Sequence, residues 1–244
     1  MSGSIRRAFL ADLTPGQRVL DTETSKYLIT VLRLSKNDEV SFFNGQGSRA
    51  HARILEPHRT KTTVHIEAST FSDPTPPTLH LCCALPKGDR AEWIIEKCSE
   101  LGVSSIRWIS CDRSQNPKKD HTKRLERWTK IAREAARQSH NDWVPTLHAT
   151  TSLQETCDIH SNHTRIVLDT SNAPSAVNQS TDLSKAYAML VGPEGGFTET
   201  ERELLRTAGW RPMSLGASIL RVETAAIVGV GFIRAITNET SKAC

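Results

Sequence analysis

A change of hydrophobic pattern at residues 73–77 constrains the fold of this chain more than any other feature. Residues 1–72 have the pattern of a β-rich unit, with a strand, an Asn-Gly turn, a second strand and an alternating third. From residue 78 onward, strands alternate with helices. The segment between them is proline-rich, and it favours an extended connector because proline lacks a backbone N–H group. We therefore predict two domains: a small β-barrel or sandwich over 1–72 and an α/β domain over 78–244.

The α/β half is predicted to contain a mostly parallel sheet, because alternating strands and helices form βαβ units. Within "DRAEWIIEKCSELG", apolar side chains recur on one helical face from Ala91 to Leu101, and Gly102 has the position of a C-terminal cap. The sequence predicts strands at 79–86, 105–110, 165–169, 186–192 and 213–216, and helices at 89–102, 121–139, 199–208 and 222–236.

The stretch "LVGPEGGFTETERELL" predicts a glycine-rich turn between a buried strand and a helix. Thr198 followed three residues later by Glu201 forms a capping box, so the loop itself spans 192–197. Its glycines do not have the Gly-x-Gly-x-x-Gly spacing, and no Gly-Lys-Ser/Thr follows. A Rossmann dinucleotide site and a Walker ATP site are therefore disfavoured, although such a turn still favours close approach of a ligand to the backbone.

A second turn of the same kind follows in "MSLGASILRVETA". Two strand ends with exposed backbone loops form a crevice at the carboxyl edge of an α/β sheet, where such folds bind ligands. Apolar Leu215, Ile219 and Leu220 lie beside polar Arg221 and Glu223, a mixture that suits a flat heterocycle with a charged end. Either loop alone is better explained as a turn with core leucines, but the pair favours a ligand site.

A basic helix is predicted at 121–139. Lys123, Arg127, Lys130 and Arg137 fall on one face, and apolar residues that include Trp128 fall on the opposite one. Such a stripe can follow a phosphate backbone, and the alternative is an ordinary solvated face.

Composition limits the remaining classes of protein. The six cysteines show no Cys-x-x-Cys and no paired spacing with histidine, so neither a zinc site nor a disulfide is expected. No stretch approaches the roughly 18 apolar residues of a membrane span, and no apolar segment follows the N-terminal arginines. We expect a cytoplasmic protein whose net charge of +4 permits a nucleic-acid partner.

Several motifs together are similar to one family. "GPEGGFTETE", "LGASILRVETAA", "LPKGDRAEWIIEKCSELGV", "DRS", "AARQS" before "VP", "VLR" and "NGQG" resemble, in order and spacing, the bacterial 16S ribosomal RNA uridine-N3 methyltransferases. The resemblance spans nearly the whole chain, and the two glycine-turn motifs are the most specific. It implies a PUA-like β-barrel over 1–72 and a SPOUT-class α/β domain with a C-terminal trefoil knot. It also implies S-adenosylmethionine as methyl donor without a metal, a 16S rRNA substrate in the small ribosomal subunit, and a homodimer.

The same resemblance carries site residues to this sequence by position. Residues implied for the donor pocket are Leu168, Gly192, Pro193, Glu194, Gly195, Gly196, Leu215, Gly216, Ile219, Leu220 and Arg221. Residues implied for RNA contact are Arg6, Arg7, Arg33, Lys87, Arg113 and Arg137. For catalysis, we expect Arg113 and Arg221 to stabilise negative charge on the uracil oxygens. Glu223 or Glu194 is then expected to orient groups or to accept the N3 proton.

Three positions differ from the family pattern: Tyr27 replaces a histidine, Asn44 an aspartate and Asn141 an arginine, for which Arg137 is a possible substitute. Three other functions stay open at this point. The chain is alternatively a SPOUT methyltransferase for a different RNA, a non-catalytic RNA-binding assembly factor, or, least favoured, a small-molecule nucleotide enzyme.

Overall fold

The fold is that of a computed structural model, which describes residues 6–114, 122–169 and 186–241. The chain divides into two compact units. One contains Met1–Pro74 and Ala136–Val144, and the other contains Thr75–Ala135 and Pro145–Cys244. The sequence-based division at 73–77 thus falls beside the first crossing between the units, whereas the return of 136–144 to the first unit has no counterpart in the prediction.

The first unit forms, in the described part of the chain, a six-stranded sheet with the order β1-β3-β4-β5-β2, to which β6 is added beside β4. Only the β1–β3 pair is parallel. The strands are β1 (Arg6–Phe9), β2 (Gly16–Val19), β3 (Glu39–Phe43), β4 (Ser48–Glu56), β5 (Thr63–Ile66) and β6 (Thr70–Phe71). Helix α1 (Thr22–Lys26) continues into a π-helical turn, Tyr27–Val31.

The predicted strand, turn and strand correspond to β3 and β4, and the alternating third run contains β5. Every second residue in the middle of β4 is buried, as the period of two requires. Val40, Phe42, Ile54 and Val64 are fully buried between the strands and the helical turn. Strands β1 and β2 and helix α1 were not predicted, because four- and five-residue segments hold too few apolar positions to show a period.

Residues 139–144 close one side of this first unit. Arg7 Nη2 donates to Asp142 Oδ1 and to the main-chain oxygen of Asn141, each at 2.7 Å. Trp143 Nε1 donates to the main-chain oxygen of Ser72 at 2.9 Å, and its ring covers Gly47 so closely that a Cβ there would lie 2.6 Å from it. The segment is therefore held by buried polar contacts as well as by packing.

The second unit is built on a parallel sheet, as predicted, with the order β12-β10-β11-β7-β8-β9. Its strands are β7 (Leu79–Ala84), β8 (Ser105–Ser110), β9 (Thr146–Ser152), β10 (Thr164–Leu168), β11 (Tyr187–Val191) and β12 (Arg211–Met213). All five residues of β11 are buried, which is typical of a central strand covered on both faces.

The helices of this half are α2 (Arg90–Glu100), α3 (Thr122–Gln138), α4 (Leu153–Ile159), α5 (Glu199–Thr207) and α6 (Val222–Ser241). The predicted apolar face of α2 is buried, and Gly102 caps it with φ 72°. Strand β9 and helix α4 were not predicted. The last strand was placed wrongly: it ends at Met213, and 214–216 belong to the following loop. Leu215 is apolar because it lines a cavity, described below, and not because it pairs in the sheet.

Five cysteines are buried and free, as expected of small apolar residues, while Cys244 lies outside the described residues. None of the described helices is both long and apolar enough to span a membrane. The trefoil knot stays a prediction, because the chain path from β10 to β11 includes 170–185, outside the described residues.

Candidate functional site

A cavity of about 480 Å³ opens where β10, β11 and β12 end. These three strands are neighbours in the sheet, so their carboxyl ends meet at one edge. We call the cavity at this edge the strand-end cavity. Its lining consists of Arg90, Leu168, Asp169, Val191, Gly192, Pro193, Glu194, Gly196, Phe197, Arg202, Met213, Leu215, Gly216, Ser218, Ile219, Leu220, Arg221, Val222 and Ala225.

The residues expected in the donor pocket all line this cavity except Gly195. Gly195 instead packs against Arg113, since a Cβ built on it would lie 3.3 Å from the Arg113 Cβ. The sequence analysis thus assigned to one site two loops that are about twenty residues apart in the chain. That these residues bind the donor remains a proposal.

The first loop is shaped by its glycines and by the start of α5. A Cβ on Gly192 would lie 2.7 Å from the Phe197 ring, so only glycine fits there. Gly196 has φ 69°, and its N–H donates to the Pro193 oxygen at 2.8 Å. The predicted capping box at the start of α5 is confirmed, since Thr198 accepts from the Glu201 N–H and Glu201 from the Thr198 N–H.

Glu201 has a second role that the sequence did not indicate. Its buried carboxylate also accepts the backbone N–H of Asp112 at 2.8 Å, which ties the 111–114 turn to the start of α5. Arg113, in that turn, donates from Nη1 to the Gly195 oxygen at 2.9 Å. Arg113 is exposed, so its remaining guanidinium N–H groups stay accessible beside the first loop.

The second loop presents apolar side chains and one arginine to the cavity. Gly216 has φ 136°, and Ile219 is 88% exposed, an unusual position for a large apolar side chain. Arg221 is exposed just before α6 begins. Its main-chain oxygen accepts the Ala225 N–H at 2.8 Å, but its side chain makes no hydrogen bond or ion pair with any residue that the structure describes.

Three charged residues of the cavity were not identified from the sequence: Arg90, Asp169 and Arg202. Arg90 Nη1 lies 2.7 Å from Glu194 Oε1, and Arg202 is hydrogen-bonded to Asp169. The only signal for Arg90 was its place in the "KGDRAEW" motif, to which no role was attached. Nothing local in the sequence marks Asp169 or Arg202.

Glu223, in the first turn of α6, is buried. Its Oε1 lies 3.7 Å from Arg90 Nε, and its Oε2 has no hydrogen-bond partner in the described part of the chain. A buried carboxylate oxygen without a donor is costly, so its retention points to a group that arrives with a ligand.

The residues expected to contact RNA have different surroundings. Arg6, Arg33 and Lys87 are exposed, as is Arg113. Arg7 is buried and engaged by Asp142, and burial lowers its pKa from the usual arginine range. Direct RNA contact by Arg7 is therefore disfavoured, and the proposal below is restricted to the accessible residues.

The basic helix α3 has the predicted arrangement. Lys123, Arg127 and Lys130 are exposed, whereas Trp128 is 5% exposed and stacks at a tilt on Trp108. Arg137, towards the end of the helix, is half-buried, with its guanidinium carbon 5.3 Å from the centre of the Tyr27 ring. Lys118 and Lys119, two further basic residues that precede this helix in the sequence, lie outside the described residues.

Comparison with known proteins identifies both halves. Residues 73–234 match a model described as an RNA methyltransferase domain, and residues 20–67 match an RNA methyltransferase PUA domain. A curated protein of Synechocystis named ribosomal RNA small subunit methyltransferase E is 33% identical, covering 89% of this chain and 72% of that protein. Its namesake from Bacillus subtilis is 31% identical, covering 86% and 87%. The chain belongs to the ribosomal RNA small subunit methyltransferase E family.

A solved member of the methyltransferase E family, from Neisseria gonorrhoeae and bound to S-adenosyl methionine, has the same fold. Its TM-score with this chain is 0.86 at 27% identity, covering 96% of this chain and 98% of that one. The predicted fold class, a PUA-like domain followed by an α/β methyltransferase domain, is confirmed.

The strand-end cavity fits the kind of donor that this methyltransferase E structure contains. Its volume lies within the roughly 300–1,000 Å³ typical of small-molecule sites. A Cβ built on Gly196 or Gly216 would meet open space, which shows that backbone is accessible at both loops. Within the described ranges, no group of three or more His, Cys, Asp or Glu residues could hold a metal ion.

Proposed function

We propose that this chain transfers a methyl group from S-adenosylmethionine to N3 of a uridine in 16S rRNA of the small ribosomal subunit. The observation that carries the proposal is the strand-end cavity, formed by two glycine turns at three adjacent strand ends in a member of the methyltransferase E family. The names of the relatives support the substrate class, and the family motifs support the uridine N3 position.

In the proposed complex, Leu168, Leu215, Ile219 and Leu220 provide apolar contacts for the adenine, and the backbone of 192–196 provides polar ones. When bound, the donor supplies a sulfonium methyl group, whose carbon–sulfur bond breaks with its electron pair remaining on sulfur. The cavity residues hold the donor in line with the attacking nitrogen and exclude water, so alignment is their main contribution to rate.

The acceptor nitrogen needs help because neutral uridine carries a proton on N3. That proton must leave before the nitrogen lone pair forms the new bond to carbon. Arg221, whose side chain has no partner among the described residues, and the exposed Arg113 are proposed to stabilise the resulting negative charge on the uracil oxygens. Glu223, with its unpartnered Oε2, is proposed to receive the proton or to orient the group that does. Glu194 is less suited to this role because Arg90 occupies one of its oxygens.

RNA contact is proposed for Arg6, Arg33, Lys87 and Arg113, together with the exposed basic face of α3 and with Arg137. These side chains neutralise phosphates and therefore predict RNA affinity that falls as salt rises. Because N3 lies on the base-pairing edge, the target uridine must be unpaired or flipped out when it reacts.

A homodimer is part of the proposal. Helices α2 and α6 pack together, and they carry two exposed apolar side chains: Trp93 is 50% exposed and Val228 is 44% exposed. A second copy of the chain is the partner that the family resemblance implies for this surface.

A ribosomal substrate is also the basis on which we retain the expectation of a cytoplasmic location.

The proposal is tested by incubating the protein with labelled donor and small ribosomal subunits that lack the modification, with naked rRNA and tRNA in parallel. Nucleoside mass spectrometry should identify 3-methyluridine in the subunit sample. Label found only in another RNA would keep the methyl-transfer chemistry and replace the substrate. Donor binding without transfer to any RNA would favour the assembly-factor alternative.

A further inference from the structure

The charges around the strand-end cavity are paired unequally. Among the described residues, the charged side chains that line it are those of Arg90, Asp169, Glu194, Arg202 and Arg221. Arg90 is paired with Glu194 and Arg202 with Asp169, whereas Arg221 has no ion-pair partner there. Both carboxylates of the lining are thus paired, and Arg221 is the charged lining residue that has no partner there.

This pattern is opposite to the one expected of a site that simply attracts a cation. The proposed donor carries one net positive charge, because its sulfonium adds to a zwitterionic amino acid. An unpaired carboxylate near the sulfonium would attract that charge most strongly before the reaction. The attraction would weaken as the methyl group leaves and sulfur becomes neutral. It would therefore lower the free energy of the bound donor more than that of the transition state, and so raise the activation barrier.

The unpaired positive charge of Arg221 has the opposite effect. Negative charge is present on the acceptor base when its nitrogen attacks, and a cation near it lowers the barrier. A cavity with compensated carboxylates and a free arginine therefore suits the transition state better than the bound donor.

Building on the proposed function, we propose that Arg90 is a positioning residue whose role is to neutralise Glu194 and so prevent excessive ground-state attraction of the sulfonium. Its guanidinium makes the 2.7 Å contact to Glu194 Oε1 while its Nε faces the buried Glu223 at 3.7 Å. Arg90 thus pairs closely with the carboxylate of the first loop and lies beside that of Glu223 at the start of α6.

A purely mechanical role for Arg90, as a tie between α2 and the first loop, predicts a different result. Loss of a tie would loosen the loop and weaken the binding of the donor and of its demethylated product, S-adenosylhomocysteine, to the same extent. These two molecules share the adenosine and the amino acid, and they differ in the sulfonium charge. The ratio of their affinities therefore isolates the electrostatic role.

The test is isothermal titration calorimetry of S-adenosylmethionine and S-adenosylhomocysteine with the full chain and its variants. Arg90→Met should increase the preference for the charged donor by about threefold to tenfold, as expected for a partly solvated charge pair. Glu194→Gln should shift the preference the other way, because it removes the close partner of Arg90 and so adds positive charge at the cavity. The double variant should return at least half of the Arg90→Met shift.

Arg206→Met is the matched control, because Arg206 forms a 2.5 Å ion pair with Glu203 on α5 and does not line the cavity. Its affinity ratio should equal that of the wild type. An unchanged ratio in both Arg90→Met and Glu194→Gln overturns the inference, as does a double variant that keeps the whole shift. A wild-type chain that binds neither molecule would overturn the proposed function itself.

Discussion

At the scale of single residues, Arg221 and Arg113 show how a loop places an arginine without neutralising it. Arg113 uses one guanidinium N–H group on the Gly195 oxygen, and Glu201 holds the turn that carries it. Arg221 has no such contact to a described residue and lines the strand-end cavity. Both side chains thus keep hydrogen-bond donors available for the proposed acceptor.

Replacement of Arg221 tests this placement. Arg221→Ala should lower kcat by about 10²-fold, the usual cost of removing one group that stabilises transition-state charge, with little change in donor affinity. Arg221→Lys should recover part of the loss, because the charge remains. Arg211→Ala is a suitable control, since Arg211 is exposed and does not line the cavity. Wild-type single-turnover rates in Arg221→Ala would exclude the proposed role.

At the scale of elements, a cluster of histidines joins β7, α4 and β10. The rings of His80, His160 and His163 lie 4.9–5.4 Å apart, and His80 Nδ1 is 2.8 Å from Ser105 Oγ. Burial, followed by the neighbouring His163, lowers the pKa of His80 to about 4 and that of His160 to about 3. These elements therefore pack with their histidines neutral.

The cluster predicts acid sensitivity of the second unit. Well above the ordinary histidine pKa of about 6.5, the histidines are neutral in both states and contribute no pH dependence. As pH falls below 6.5, the unfolded chain binds protons that the folded cluster does not. The free energy of unfolding should then fall by about 1 kcal/mol per pH unit for each buried histidine. Urea denaturation between pH 7.5 and 5 measures this slope.

His160→Gln is the informative comparison, because it removes one titrating group and keeps a polar side chain. Its stability should fall less steeply with acid than that of the wild type over the same interval. Equal slopes for the two proteins would show that His160 does not remain neutral in the folded cluster.

The elements also show which sequence patterns are informative. Helix α2 and strand β11 were predicted because their apolar residues form complete patterns over their length. Strand β12 was misplaced because it has three residues, one of them proline, and its ends are set by pairing with β10. Strand β9 was missed for a similar reason, since none of its seven residues is fully buried.

At the scale of the whole molecule, two features bear on its organisation: the return of 136–144 to the first unit, and the exposed apolar residues of α2 and α6, on which the proposed dimer rests. The first depends on the buried pair of Arg7 and Asp142, whose side chains are 8% and 7% exposed. Asn141, which replaces a family arginine, takes part through its main-chain oxygen and accepts the Trp143 N–H with its side chain. Because Arg7 bonds to the main-chain oxygen, this contact does not depend on which side chain stands at position 141.

Removal of Asp142 should destabilise the first unit. Asp142→Ala leaves the Arg7 guanidinium buried without its carboxylate, a change that costs about 3–5 kcal/mol in comparable pairs. Thermal unfolding followed by calorimetry should show a lowered melting temperature, and the double variant with Arg7→Met should recover part of it. Asp12→Ala, which breaks an exposed pair with Arg18, should have almost no effect.

The proposed dimer is tested by introducing charge on the apolar surface. Val228→Glu should shift the protein towards a monomer in analytical ultracentrifugation, because a buried unpaired carboxylate opposes association. Ile159→Glu is the control: Ile159 is similarly exposed, at 47%, but lies on a different helix, α4. Dissociation by both substitutions, or by neither, would argue against this surface as the interface.

The sequence by itself determined the features that contiguous residues encode: the β-rich first half, the parallel sheet, the capping box at Thr198 and the two glycine turns whose residues line the cavity. These follow from local backbone preferences and from hydrophobic period, which need no knowledge of the rest of the chain. Only the tertiary structure decided which charges meet. Arg90 reaches Glu194 across 104 positions, and Arg7 reaches Asp142 across 135. Such pairs cannot be identified from composition because any of the many arginines is locally equivalent, and the topology alone brings one of them to a given carboxylate.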